Sequence, residues 1–108
     1  MTIEIDLSKA SGRNFAGKQN GRAFRELLEI DNKDMNGKET IVLKIPENAY
    51  GITSSYFVGL LGTSMLKSKT ENDFKARIQL QNANDSQRNC MENAIHHVFI
   101  ANKITRVF

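Results

Sequence analysis

Apolar residues along this chain switch between two periods. Ile3, Ile5 and Leu7 alternate with Glu4 and Asp6. Successive strand side chains point to opposite faces, so this two-residue period predicts a first strand with three apolar side chains on one side. Residues 8–20 are rich in Gly, Ser, Lys and Asn and read as a loop or weak turn. Beyond Gly21 the period lengthens. Phe24, Leu27 and Leu28 recur at helical spacing, with Arg22, Arg25, Glu26 and Glu29 opposite them. The pattern predicts a helix over residues 17–30 that turns those four charged side chains to water. Polar residues 31–38 close on an Asn-Gly turn dipeptide. The β-branched run Ile41-Val42-Leu43-Lys44-Ile45 then predicts an internal strand covered on both faces, ended by Pro46.

Residues 54–67 carry Phe57, Leu60, Leu61 and Met65 on one helical face, and Thr53 or Ser54 is able to cap the first turn with a side-chain oxygen. Gly59 and Gly62 lie inside this helix, where each costs about 1 kcal/mol relative to Ala. Close packing against the sheet is the expected compensation. Phe74, Ala76, Ile78 and Leu80 alternate with Lys75, Arg77 and Gln79, which predicts a half-buried strand with a basic outer face. Met91, Ala94, Ile95, Val98 and Phe99 follow i, i+3, i+4, i+7 and i+8 behind the cap candidates Asp85 and Ser86. They predict a long helix whose apolar stripe lies on the sheet, and Ile104–Phe108 predicts a short closing strand. The β-α-β-α-β-α order predicts an α/β fold: a small mixed or parallel sheet of about four strands, Ile41–Ile45 central, with packed helices. At 108 residues, without internal repeat or linker, the chain reads as a single domain, 1–108.

Composition narrows the setting. With 40% hydrophobic and 25% charged residues the chain is able to bury a core. The net charge of +3 is dispersed among acidic residues, which disfavours nucleic acid as the partner. Cys90 is the sole cysteine, so an intramolecular disulfide is excluded and a reducing compartment fits. The acidic, alternating start lacks the basic and continuously apolar character of a signal peptide, and no stretch approaches the roughly 20 apolar residues of a membrane span. A cytoplasmic protein without membrane attachment is expected.

Candidate chemistry is sparse. Cys90, His96 and His97 share one predicted helix, on which neighbouring histidines diverge by about 100°. A closed zinc site takes four ligands from more than one element, so ordinary surface and core roles are expected, with no metal and no cofactor. Gly12, Gly17 and Gly21 are too widely spaced for a dinucleotide turn. Arg13, Lys18, Arg22 and Arg25 make either an anion patch at the start of the first helix or a solvated helix face, and the second reading is favoured. No nucleophile or acid–base pair with an orienting group is legible, so no catalytic residue is assigned and the chain is not read as an enzyme.

One segment is more specific. Ile41–Ile45, a loop, and then Ile52-Thr53-Ser54-Ser55-Tyr56-Phe57-Val58-Gly59-Leu60-Leu61-Gly62 resemble the strand, Ser-Ser turn and helix of STAS domains, the fold of bacterial anti-sigma factor antagonists. The segment is most similar to the STAS-like relatives of unknown function in bacteria and prophages, whose Gly-Arg-rich helix Gly21-Arg22-Ala23-Phe24-Arg25 also resembles. The likeness runs in order from Thr2 to Met65. It implies a STAS-like fold and a regulatory module that binds a protein partner, a kinase of the histidine-kinase-like ATPase superfamily. It further implies a phosphoacceptor at Ser54, with Ser55 beside it, and docking through Thr53, Ser54, Ser55 and Tyr56, flanked by Arg22 and Arg25. The family's Asp before the Ser pair is Thr53 here, an acidic residue at the strand end is Lys44, and its Gly after the pair is Tyr56, a ring expected to crowd an approaching kinase. The alternative is a phage- or plasmid-encoded inhibitor or antitoxin that blocks a protein or nucleic-acid complex.

Overall fold

The computed structural model describes residues 2–9, 15–35, 37–46 and 52–107, with side chains as far as Ala101. Three strands, β1 (Thr2–Asp6), β2 (Thr40–Lys44) and β3 (Ile78–Gln81), form one parallel sheet in the order β1-β2-β3. The first crossover passes through a 3-10 turn at Leu7–Lys9 and the helices α1 (Lys18–Leu27) and α2 (Ile30–Lys33). The second runs through α3 (Ser54–Leu66) and α4 (Glu71–Arg77), and α5 (Asp85–Val107) follows β3. The α/β class and the central place of Ile41–Ile45 thus hold, with three described strands rather than about four.

Register fixes which side chains meet the helices. Ile3 pairs with Ile41 and Ile41 with Ile78, while Ile5 pairs with Leu43 and Leu43 with Leu80. These rows are covered by the helical layer, where Ile5, Ile41 and Leu43 are wholly buried. The opposite rows are Glu4, Val42 and Gln79, then Asp6, Lys44 and Gln81. Val42 is the one apolar side chain among them, and Glu4, Gln79 and Gln81 are exposed. Val42, on the face turned away from the core cluster, is nonetheless buried at 7% exposed, so the centre of β2 is buried on both faces as its apolar run predicts, while the core cluster lies on the Ile41 and Leu43 side.

One predicted strand is helical over its first half, and another is helical throughout its described length. Across residues 71–77, Phe74 and Arg77 are buried three positions apart, and Thr70 caps α4 by accepting from the Asp73 backbone N–H at 3.1 Å. Acidic Glu71 and Asp73 open α4 and basic Lys75 and Arg77 close it, so the peptide dipole favours helix where alternation alone suggested strand. Only Ile78–Gln81 is extended. The expected strand at Ile104–Phe108 is replaced by the continuation of α5 to Val107, over a stretch that contains neither Gly nor Pro to stop it; Phe108 lies outside the described residues. The cap of α5 is also shifted, from Asp85 or Ser86 to Asn84. Its Oδ1 accepts from the Gln87 backbone N–H at 2.8 Å, while Gln87 Oε1 accepts from that of Asn84 at 2.9 Å, a reciprocal capping box.

The helices α1 and α3 touch through backbone. A Cβ on Gly21 would lie 2.1 Å from the Tyr56 carbonyl oxygen, and one on Gly59 would lie 1.9 Å from that of Lys18. Gly59 thus answers to α1 and not to the sheet. The stripe Met91, Ala94, Ile95, Val98 and Phe99 is buried as the pattern predicts, and α5 lays it chiefly on α3.

Candidate functional site: a groove over the central helix

The helix α3 is apolar on nearly every side, as befits a helix surrounded by protein. It is flanked by α1 and α5, yet Val58, Gly62 and Leu66, at i, i+4 and i+8, floor an open groove between those neighbours. Leu66 remains 49% exposed. The groove has a volume of about 630 Å³, walled by Lys18, Arg22 and Glu26 of α1 and by His97, Val98 and Ala101 of α5. At the N-terminal end of α3 a recess of about 360 Å³ is lined by Ser54, Ser55 and Asn93. Lys18, Val58 and His97 line both, so the two spaces run end to end. Gly62 belongs to this floor: a Cβ there would meet only Val58 Cγ1, at 3.9 Å, so the expected packing contact does not explain it.

The residues implied by the family likeness separate into three groups. Thr53 is the N-cap of α3, its Oγ1 accepting from the backbone N–H of Tyr56 and of Gly17, each at 3.2 Å. Its hydroxyl is therefore committed to joining the entry of α1 to that of α3. Ser54 and Ser55 follow in the first turn, half-buried and exposed respectively. Neither hydroxyl has a hydrogen-bond partner among the described residues. Ser54, one of the two expected caps, is thus not the cap.

Tyr56 and Arg25 lie inside. Tyr56 is 1% exposed and stacks edge-on with Phe15 and Phe57, at centroid distances of 5.5 and 6.5 Å. Burial pushes its hydroxyl pKa up to about 12. Its ring is buried and leaves no surface to crowd an approaching partner, contrary to the expectation from the sequence. Arg25, read as a solvent-side residue, is 3% exposed. Its Nε and Nη2 donate to Asp31 Oδ1 at 3.0 and 2.7 Å, and Nη1 donates to the Leu60 carbonyl at 2.9 Å and to Ser64 Oγ at 3.0 Å. That guanidinium binds α1 to α3 and is spent as an anion ligand. Arg22 and Lys18 are exposed on the groove wall, and Arg13 lies outside the described residues.

A second buried cation escaped the pattern altogether. Arg77, expected on a basic outer strand face, donates to the Glu39 and Ser64 carbonyls, to Ser68 Oγ and to Asp34 Oδ1 at 2.6 Å. Asp34 is wholly buried, and Lys67 Nζ donates to its backbone carbonyl. Ser64 touches both arginines, and no sequence pattern marks it as their meeting point.

His96 Nδ1 stands 3.1 Å from Glu71 Oε1 and links α5 to α4, while Cys90 is half-buried. Among the described residues no three His, Cys, Asp or Glu side chains converge as metal ligands, and no helix is long and apolar enough to cross a membrane. Ser54, Ser55 and His97 share the recess, but no hydrogen bond joins the imidazole to either hydroxyl. The arrangement offers cationic and hydroxyl groups around an apolar floor. No protein-family model, curated protein or solved structure matches the chain.

Proposed function

We propose that this protein is a cytoplasmic regulatory module that binds a protein partner over the start of α3, is switched by phosphorylation of Ser54, and catalyses no reaction of its own. The observation that carries the reading is the division of labour at the turn. Thr53 takes the cap, which leaves the Ser54 hydroxyl uncommitted at the mouth of a recess shared with Lys18 and His97. A phosphate there would meet the positive end of a 13-residue helix and a lysine ammonium. By likeness to STAS antagonists the donor is a kinase of the histidine-kinase-like ATPase superfamily.

The test uses the full chain from its native host. Phosphopeptide mass spectrometry should find Ser54 modified, and Ser54→Asp should keep the fold while changing affinity for the co-purifying partner. Ser54→Ala should melt like the parent, since the cap belongs to Thr53. Partner binding by Ser54→Asp equal to the parent's, with no phosphopeptide recovered, would overturn the switch.

A further inference from the structure

We infer that the groove over α3 receives an amphipathic helix of a protein partner, acidic at the end that lies beside Ser54. This rests on the protein-binding reading above and adds the chemistry of the partner.

Charge selects the occupant. Arg25 and Asp31 pair with each other at 2.7 Å, which removes them from the account. Lys18 and Arg22 then remain against Glu26, with the His97 imidazole on the facing wall. On α1, Lys18, Arg22 and Glu26 stand at i, i+4 and i+8, so the wall is basic toward Ser54 and acidic toward Leu66. The peptide dipole of α3 adds to the same gradient, positive at Ser54. An occupant whose acidic residues face Lys18 and Arg22 satisfies this field, whereas a uniformly anionic strand such as nucleic acid would meet Glu26.

Shape selects a helix. The floor residues Val58, Gly62 and Leu66 repeat at one helical turn, and the 13 residues of α3 span about 20 Å, so an apolar stripe of about four turns matches the groove along its length. Gly62 and Ala101 keep the bottom clear of side chains that would hold a second helix away. The glycine is kept at a helical cost of about 1 kcal/mol with no neighbour that requires it, as expected where the space is used. The acidic end would share Lys18 with a phosphate on Ser54, so phosphorylation would expel the helix by competition and like-charge repulsion.

A display library of helical segments about 14 residues long, matched to the length of α3, is selected against the full chain, and the winners are measured by fluorescence anisotropy. Selected peptides should carry Asp or Glu at one end of an apolar stripe, and their affinity should fall with salt. Lys18→Glu and Arg22→Glu should each weaken binding about tenfold, and Gly62→Leu should weaken it at least as much while circular dichroism stays parental. Basic or charge-neutral winners, or affinities unmoved by all three substitutions, would overturn the groove; so would a dimer in sedimentation that Gly62→Leu dissociates, or a single-stranded oligonucleotide that competes the peptide off. Should Gly62→Leu unfold, the two charge reversals still decide. Acidic-peptide binding that is lost in Arg22→Glu but equal in Ser54→Asp upholds the groove and sinks the switch. A native partner that responds to Ser54→Asp but not to Arg22→Glu or Gly62→Leu does the reverse.

Discussion

Gly59 and Gly62 sit in the same helix and answer to different constraints. At Gly59 the Lys18 carbonyl occupies the place of a Cβ, and Gly21 faces the Tyr56 carbonyl in the same way. Alanine at either position should force α1 and α3 apart and cost about 1–3 kcal/mol. Alanine at Gly62 fills open groove and removes backbone freedom from the unfolded chain, so it should stabilise by about 1 kcal/mol. Denaturant midpoints of the three variants check the opposite signs; a Gly62→Ala midpoint below the parent's would contradict the open floor. Tyr56 makes a second prediction. Its folded-state pKa is raised above 10 to about 12 by burial, so its contribution to stability is complete below about pH 10 and is lost as pH rises through 12. A Tyr50→Phe background leaves one of the two tyrosines. There, phenolate absorbance should appear only near pH 12, and Tyr56→Phe should remove the part of the alkaline stability loss that belongs to this ring.

The helix α5 shows how far a period determines an element. Its buried residues fall at the helical positions that the apolar pattern marks, and Ile95 is 1% exposed against α3. Ile95→Ala should cost about 2–5 kcal/mol, read from urea or guanidinium unfolding. An unchanged midpoint would mean that the stripe faces water. The helix α4 shows the limit. From Phe74 to Leu80 alternation spans a helix and a strand, because Phe74 and Arg77, buried one turn apart in α4, precede Ile78 and Leu80, which line one side of β3. The period-two pattern is the accidental sum of both, and the Thr70 cap and the acid-to-base order across α4 were the better guides.

The fold is joined across its layers by buried polar groups as well as by its core. Buried Arg25, Ser64, Arg77 and Asp34, with Asp31 at the solvent-exposed end, form a chain of hydrogen bonds that ties α1 and α2 to α3, α4 and the turn before β2. Arg77 and Asp34, 9% and 0% exposed, form an ion pair at 2.6 Å. Removing one partner leaves the other charged and buried, so Arg77→Met or Asp34→Ala should each cost about 3–5 kcal/mol. The double variant should cost less than the sum of the two, and a double-mutant cycle in denaturant measures the coupling. Additive losses would show that the pair contributes no more than its separate side chains.

Hydrophobic periodicity was enough to locate the first strand, the central strand and the long last helix, because burial on one face imposes a period that residue order preserves. The start of α3 behind Thr53 was likewise legible, since capping is a local matter of one side-chain oxygen and the N–H groups just after it. Contacts between distant segments leave no comparable mark. Arg25 and Arg77 read as solvated charges until Leu60, Ser64 and Asp34 are brought beside them, up to 43 positions away. Gly62 reads as a packing glycine until the neighbours around it are seen to leave room. The groove exists only between α1 and α5, which approach α3 from separate parts of the chain, and a cavity is defined by what surrounds it rather than by any one segment.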